Sequence, residues 1–110
     1  MQLLASGKTH AGRRTSNEDS FRIELEIGLF VVADGMGSAG DAASRLAVDA
    51  ICEHFRTDGC GDPLIAFDAA IASAAQRIDQ DARSENMAAT LAALSLVDQG
   101  ATIAHVGDKI

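Results

Sequence analysis

The chain of 110 residues is poor in several residue types on which other classes of protein depend. It has no Trp or Tyr and only four Phe, and because single-stranded nucleic acids stack on aromatic rings, this composition disfavours single-strand binding. One Pro and ten Gly leave no long low-complexity tract. The longest apolar run, residues 27–33, has 7 residues, whereas a membrane-spanning helix needs about 20. We therefore expect a folded domain without a membrane partner.

The cysteine content, the N-terminal residues and the net charge disfavour further classes of protein and partner. Two cysteines, Cys52 and Cys60, are too few for a disulfide scaffold and lack zinc-site spacing, so we expect reduced thiols without a catalytic role. The N-terminus has no basic head followed by a long apolar stretch, so we expect a cytoplasmic protein. Nine Lys and Arg against 16 Asp and Glu give a net charge of −7, which disfavours nucleic-acid partners. Such acidity suits hard cations where carboxylates converge, but a solvated acidic surface has the same charge.

Hydrophobic periodicity predicts an α+β domain. Alternation over residues 21–27 predicts a half-exposed strand, and the apolar run 29–33 predicts a strand buried on both faces, with a turn near Gly28 between them. Spacings of three and four predict a helix over 42–55, and Pro63 capped by Asp62 begins a second helix that runs to about residue 83. Further strands are predicted at 89–97 and 101–106, and an earlier one at 3–9. Hairpins on both sides of a helix pair favour an antiparallel sheet with the helices on one face.

The glycine-rich loop after the second strand matches a dinucleotide-binding pattern. Residues 35–40 read Gly-x-Gly-x-x-Gly after an apolar strand and before a helix. However, Asp34 precedes the first glycine, and its carboxylate would repel a pyrophosphate. The next parallel strand of that fold should follow, but residues 57–63 contain two glycines and a proline, and another helix comes next. The surroundings therefore argue against a dinucleotide site.

Acidic residues lie on both sides of the predicted first hairpin: Glu18 and Asp19 come before its first strand, and Asp34 comes directly after its second strand. Asp34 and Gly35 offer a carboxylate and an unobstructed carbonyl, which are hard oxygen donors for Mg²⁺ or Mn²⁺, although Asp-Gly is also common in turns. Pairing of the two strands would bring Glu18 and Asp19 to the same end of the hairpin as Asp34. Three carboxylates in one place repel each other unless a cation neutralises them. Arg14 adds a guanidinium group, whose parallel N–H donors can bind a phosphate. The residues alone leave metal-assisted phosphate chemistry and a solvated loop with an ion pair about equally open.

Four segments of the chain resemble, in order, the motifs of the PPM (protein phosphatase 2C, or PP2C) serine/threonine phosphatases, especially the bacterial ones. They are Arg14-Thr15-Ser16-Asn17-Glu18-Asp19-Ser20, Val32-Ala33-Asp34-Gly35-Met36-Gly37, Ala42-Ala43-Ser44 and Ala104-His105-Val106-Gly107-Asp108. The resemblance implies a PP2C-like β-sandwich of antiparallel sheets flanked by antiparallel helix pairs, of which residues 1–110 form the N-terminal half of a single domain. It also implies hydrolysis of phosphoserine and phosphothreonine by a metal-activated water.

The resemblance further implies roles for individual residues. Asp34 would bridge two Mn²⁺ or Mg²⁺ ions, and Gly35 would offer its carbonyl to one of them. Glu18 and Asp19 would hold metal-bound waters, and Arg14 would bind the substrate phosphate. The substrate would be a phosphoprotein, such as one modified by a paired serine/threonine kinase.

Several positions depart from the motifs of this family. Asp108 matches the aspartate of the Val-Gly-Asp-Ser-Arg motif, which binds an additional, weaker metal ion, but Lys and Ile follow it instead of Ser and Arg. Met36 stands where some relatives carry a His that acts as general acid, so that role is unfilled. The later Asp-Gly and Asp-Asn segments, which supply two more metal ligands, are not among the 110 residues. The alternative is therefore a truncated, non-catalytic remnant or binding module.

Overall fold

The computed structural model describes residues 18–57, 62–97 and 100–107. These residues form four strands and two helices, with two short 3₁₀ turns at Leu25–Ile27 and Ser84–Asn86. In chain order the elements are β1 (Asp19–Glu24), β2 (Leu29–Met36), α1 (Gly40–Thr57), α2 (Pro63–Gln80), β3 (Ala88–Val97) and β4 (Gly100–Val106). The strands form one antiparallel sheet in the order β1-β2-β3-β4. The predicted α+β class is confirmed, while the strand expected at residues 3–9 lies outside the described residues.

The first hairpin turns at Gly28, as predicted, but its first strand is shorter than expected. β1 ends at Glu24, and Leu25–Ile27 form a 3₁₀ turn rather than the end of a strand. Gly28 has φ of 65°, and its N–H donates to the Leu25 carbonyl at 3.2 Å. A Cβ at this position would also collide with the Leu96 carbonyl of β3. Glycine is therefore required both by the left-handed backbone and by the neighbouring strand.

Strand β2 differs from its prediction in length and in burial. It continues through Asp34 and Gly35 to Met36, three residues beyond the predicted end. Its residues alternate between buried and exposed, so that Val31 is 1% exposed and Val32 is 55% exposed. The prediction of a strand buried on both faces is wrong, because the described helices cover only one face of the sheet.

The two helices form where hydrophobic spacing predicts them. Asp62 caps α2, since its side chain accepts a hydrogen bond from the Leu64 N–H at 3.0 Å. The helix ends at Gln80, earlier than predicted, because Asp81 adopts an extended backbone. The rings of Phe55 and Phe67 join the helices, with centroids 4.7 Å apart.

The hydrophobic core lies between α1 and the sheet, and α2 packs mainly on α1. Small residues dominate it and allow helix and sheet backbones to approach closely. The core alanines are Ala33, Ala39, Ala42, Ala43, Ala47, Ala50, Ala70, Ala74, Ala89 and Ala93. Neither helix of the described chain has the length and apolar character that crossing a membrane requires.

The face of the sheet turned away from the helices carries large apolar side chains that remain accessible; we call it the open face. Phe21 of β1, Val32 and Met36 of β2 and Ile103 of β4 are each more than a third exposed. The described residues thus form one sheet and one helix pair, half of the two-sheet sandwich that the resemblance implies.

Candidate active site

One row of side chains crosses the open face where the first hairpin begins and ends. In the sheet register, Asp34 of β2 lies directly opposite Asp19 of β1 on one side and Thr90 of β3 on the other. The next row towards the sheet centre joins Val32 to Ala92, and Ala92 to His105 of β4. Because Asp34 is on an inner strand of this sheet, hydrogen-bonded neighbours fix its backbone on both sides.

These two rows line a shallow cavity of about 280 Å³. Its walls are formed by residues from all four strands, namely Asp19, Val32, Ala33, Asp34, Thr90, Leu91, Ala92 and His105. The cavity combines two carboxylates, a hydroxyl and an imidazole above an apolar floor. It therefore has the donor types of a site for a cation or a phosphate.

The carboxylates of Asp19 and Asp34 stand on neighbouring strands at the same level. Directly opposed side chains in an antiparallel pair have Cβ atoms about 4.5–5.5 Å apart, so two like charges there repel each other. A divalent cation between or beside them would turn this repulsion into attraction. The predicted proximity of these two aspartates is thus confirmed by the register.

Glu18 extends towards a different part of the molecule from its neighbour Asp19. Its Oε2 lies 2.8 Å from the position that a Cβ on Gly40, the first residue of α1, would occupy. The positive end of the helix dipole favours a carboxylate at this place. Although the sequence predicts all three acids at one end of the hairpin, Glu18 sits beside the start of α1 on the helix side of the sheet.

Gly35 allows α1 to begin directly over β2. Its N–H donates to the Glu18 carbonyl at 2.9 Å, which continues the β1–β2 ladder by one residue. A Cβ on Gly35 would overlap the carbonyl group of Gly40. This contact accounts for glycine at position 35 independently of the predicted approach of a ligand to the Gly35 carbonyl.

The loop between β2 and α1 is anchored by the segment that precedes β3. The Ala39 N–H donates to the Asn86 carbonyl at 3.0 Å, and the Gly40 N–H donates to the Gly37 carbonyl at 3.1 Å. Gly37 has φ of 90°, and a Cβ there would collide with the same Asn86 carbonyl. A fixed loop results, which holds the end of β2 and the start of α1 in one arrangement.

The described residues supply part of the ligand set that the resemblance implies. Asp19 and Asp34 are hard oxygen donors of the kind that Mg²⁺ and Mn²⁺ prefer. Within residues 18–57, 62–97 and 100–107, however, no three His, Cys, Asp or Glu side chains are grouped closely enough to hold a metal ion. Arg14 and Asp108 lie outside the described residues. The donor set therefore fits a divalent cation in kind, and its completion requires ligands from elsewhere.

Sequence reasoning missed two residues of the cavity, Thr90 and His105. His105 belongs to a segment that resembles a family motif, but neither the periodicity nor the local sequence shows that Thr90 and His105 face Asp34. Their position depends on pairing of β3 with β2, which is long-range along the chain, and His105 also requires the local β3–β4 hairpin.

Cys52 lies apart from this site. It is fully buried in α1, and burial raises the pKa of its thiol. A protonated, inaccessible thiol is a poor nucleophile, in agreement with the predicted absence of a catalytic role. Cys60 is outside the described residues.

Comparison with known proteins identifies the family to which this chain belongs. The family model of protein phosphatase 2C matches residues 6–109. The chain belongs to the protein phosphatase 2C family.

Individual relatives are similar to this chain in sequence and in fold. The serine/threonine protein phosphatase PstP of Mycobacterium tuberculosis is 32% identical over 102 residues, which cover 87% of this chain and 20% of PstP. The crystal structure of the PstP catalytic domain in complex with two manganese ions has a TM-score of 0.77 at 30% identity, covering 92% of this chain and 46% of that one. PppA of Pseudomonas aeruginosa has a TM-score of 0.68 at 32% identity, covering 92% of this chain and 46% of PppA.

The match covers only part of these relatives. This chain spans 20% of the length of PstP and 46% of each of the two solved structures. The fold and the family are therefore established for this chain, while the activity of the whole relatives belongs to a protein about twice as long or longer.

Proposed function

We propose that this chain forms the N-terminal part of a single metal-dependent protein serine/threonine phosphatase domain. The observation that supports this best is the placement of Asp19 and Asp34 side by side at a cavity of the open face, in a chain of the protein phosphatase 2C family. The manganese ions in the PstP catalytic domain support the choice of cation. The proposed reaction is hydrolysis of phosphoserine and phosphothreonine in phosphoprotein substrates.

In the proposed site each residue has a separate task. Asp34 and the Gly35 carbonyl would hold divalent cations, and Asp19 would accept hydrogen bonds from water. The same role for Glu18, whose carboxylate lies beside the start of α1, rests on the family resemblance alone. The planar guanidinium group of Arg14 would bind the substrate phosphate through two parallel N–H donors. Bound Mn²⁺ or Mg²⁺ would supply Lewis acidity, which makes water a competent nucleophile at neutral pH and offsets the charge of the phosphate.

Other parts of the proposal rest on the family resemblance. Asp108 would bind a third, weaker ion. Strands from the other half of the domain would cover the open face and bring the remaining ligands. Mg²⁺ as an alternative to Mn²⁺, pairing with a serine/threonine kinase and a cytoplasmic location remain predictions.

One observation favours a second candidate function, a non-catalytic remnant or binding module. The described residues do not group three metal-binding side chains, so this part of the chain supplies an incomplete ligand set. A module of this kind would keep the fold and a weak cation site but would not turn over a phosphorylated substrate.

The two candidates are separated by Mn²⁺ binding and hydrolysis with the 110-residue chain and its Asp34→Asn variant. We expect the change to weaken Mn²⁺ binding roughly tenfold or more, because loss of a direct ligand exceeds the usual effect of losing its supporting contacts. Binding is measured by loss of the paramagnetic resonance signal of free Mn²⁺, and hydrolysis with a phosphothreonine peptide. Asp68→Asn is the matched control, since it removes the same charge from an exposed position of α2.

Each outcome has a clear meaning. Equal Mn²⁺ affinity in the unmodified chain and in Asp34→Asn would overturn the assignment of Asp34. Mn²⁺ binding that depends on Asp34 without peptide hydrolysis would favour the binding module for this chain alone. Metal-dependent hydrolysis that Asp34→Asn abolishes would establish the phosphatase.

A further inference from the structure

Two serine hydroxyls meet where β1 passes under the first turns of α1. Ser44 of α1 is 0% exposed, and its Oγ lies 2.8 Å from the Oγ of Ser20 in β1. The Ser44 hydroxyl also donates to the Asp41 carbonyl at 3.1 Å, so its oxygen accepts the proton of Ser20. Among the described residues, Ser44 and Ser95 are the polar side chains that are buried. A hydrogen bond to a fully buried hydroxyl thus joins strand to helix.

The Ser20–Ser44 hydrogen bond lies directly beside Asp19, a residue of the candidate site. Alternation along the strand turns Ser20 towards α1 while its neighbour Asp19 lines the cavity. On the helix side, Arg22 and Glu24 form exposed or half-exposed ion pairs with Asp49 and Arg56 of α1. Of Ser20, Arg22 and Glu24, Ser20 makes the least exposed link and lies nearest to Asp19.

Strand β1 needs such links because it is an edge strand of the described sheet. Among the described residues it is hydrogen-bonded only to β2, so within this part of the chain no ladder holds its other side. The first bond of the β1–β2 ladder within the described residues is that from the Gly35 N–H to the Glu18 carbonyl. The position of Asp19 relative to Asp34 therefore depends on what holds this end of β1 from the helix side.

We propose that the Ser20–Ser44 hydrogen bond is a positioning device, which fixes the start of β1 to α1 so that Asp19 stands opposite Asp34. Ser44 is a positioning residue in this scheme, since it acts through Ser20 and touches neither cation nor substrate. The consequence for metal binding rests on the proposed function, whereas the consequence for the geometry of β1 does not.

The geometric consequence is tested by amide hydrogen exchange on the 110-residue chain. In Ser44→Ala, we expect exchange of the Gly35 amide to accelerate roughly three- to tenfold, as loss of one net hydrogen bond implies. The Leu96 amide, which donates to the Gly28 carbonyl at 2.8 Å at the other end of the sheet, is the internal reference and should keep its relative rate.

Matched variants separate positioning from general loss of stability. Ser95→Ala removes the other buried hydroxyl, far from Gly35, where Ser95 pairs with Leu29, and it should leave the Gly35 amide protected relative to Leu96. Ser20→Ala should reproduce Ser44→Ala, and the double variant should add nothing, because both changes remove one bond. Ser20→Thr retains a hydroxyl and should behave as the unmodified chain. If Ser44→Ala does not fold, Ser20→Ala carries the test.

Mn²⁺ affinity is the second readout. Ser44→Ala should weaken it several-fold, and Ser95→Ala should not. Unchanged relative exchange at Gly35 in both Ser44→Ala and Ser20→Ala, or equal acceleration in Ser95→Ala, would overturn the positioning role. If the unmodified chain binds no Mn²⁺ while exchange at Gly35 accelerates as expected, the proposed function fails and the positioning role stands.

Discussion

The two faces of the sheet contain similar residues but have different surroundings. Val31 and Val32 are neighbours in β2, yet Val31 is 1% exposed beneath α1 and Val32 is 55% exposed on the open face. The helix-covered face meets small side chains of α1 that pack closely. The open face offers larger ones, including Ile103 at 74% exposed. Two chemically identical side chains thus differ in solvent exposure, because α1 covers one face of the sheet and no described element covers the other.

The site follows the same division. On the open face, the acidic residues of the described strands are Asp19 and Asp34, and they stand together at one end. Beyond them that face is dominated by apolar side chains. By contrast, the helix side of β1 has its charges paired with α1. Two like charges side by side at the edge of an apolar surface are expected where a cation and a further layer of protein bind.

The largest expected effect contrasts two leucines of β3. Leu91 is 2% exposed under α1, and Leu91→Ala should destabilise the chain by about 2–5 kcal/mol through lost burial and a cavity. Leu94 is half-buried on the open face, and Leu94→Ala should cost no more than about 1–2 kcal/mol. Urea denaturation of both variants measures the difference. Equal losses would mean that the open face is packed in solution.

A charge on the open face should change association more than stability. Ile103→Lys should lower binding of a hydrophobic dye and any self-association, while the free energy of unfolding changes by about 0.5 kcal/mol or less. Ala72→Lys adds the same charge at an exposed position of α2 and should leave dye binding unchanged. Dye fluorescence and sedimentation are the measurements. Unfolding caused by Ile103→Lys alone would contradict the exposure of this face.

The smallest effect concerns an exposed ion pair on the helix side. Arg77 of α2 donates to Glu53 of α1 at 2.6 Å, and this hydrogen bond lowers the pKa of Glu53 from its ordinary 4.5. A lowered pKa means that the stabilisation is complete above the unfolded-state pKa and is lost as the pH falls through the folded-state pKa. Thermal melting should show Glu53→Gln slightly less stable at neutral pH, with a difference that shrinks as the pH falls below 4.5 and vanishes below the lowered folded-state pKa. A difference that persists in acid would assign the effect to packing.

Much of the architecture could be predicted from local pattern. The spacing of apolar residues identifies both helices, Asp62 and Pro63 mark the start of α2, and Gly28 marks the hairpin turn, because these features act over a few residues. The same pattern could not show that β2 is covered on one side only. An apolar run is compatible with either outcome, and the covering layer is distant in sequence.

The candidate site divides in the same way. Hairpin pairing is local, so the approach of Asp19 to Asp34 follows from the sequence. The carboxylate of Glu18 turns instead to Gly40, and alternation at the start of a strand accounts for this once the register is known. Thr90 and His105 enter the cavity only through pairing of β2, β3 and β4.

The sequence by itself determined the elements, the first hairpin and the family motifs, because helix periodicity, strand alternation and turn chemistry act between neighbours along the chain. Tertiary structure decided which face of β2 is buried, which side chains meet in the cavity, and that Ser44 reaches Ser20. Those outcomes depend on contacts between separate elements of the fold, such as the Ser20–Ser44 contact across 24 residues. Close packing selects one such arrangement, and local pattern does not contain it.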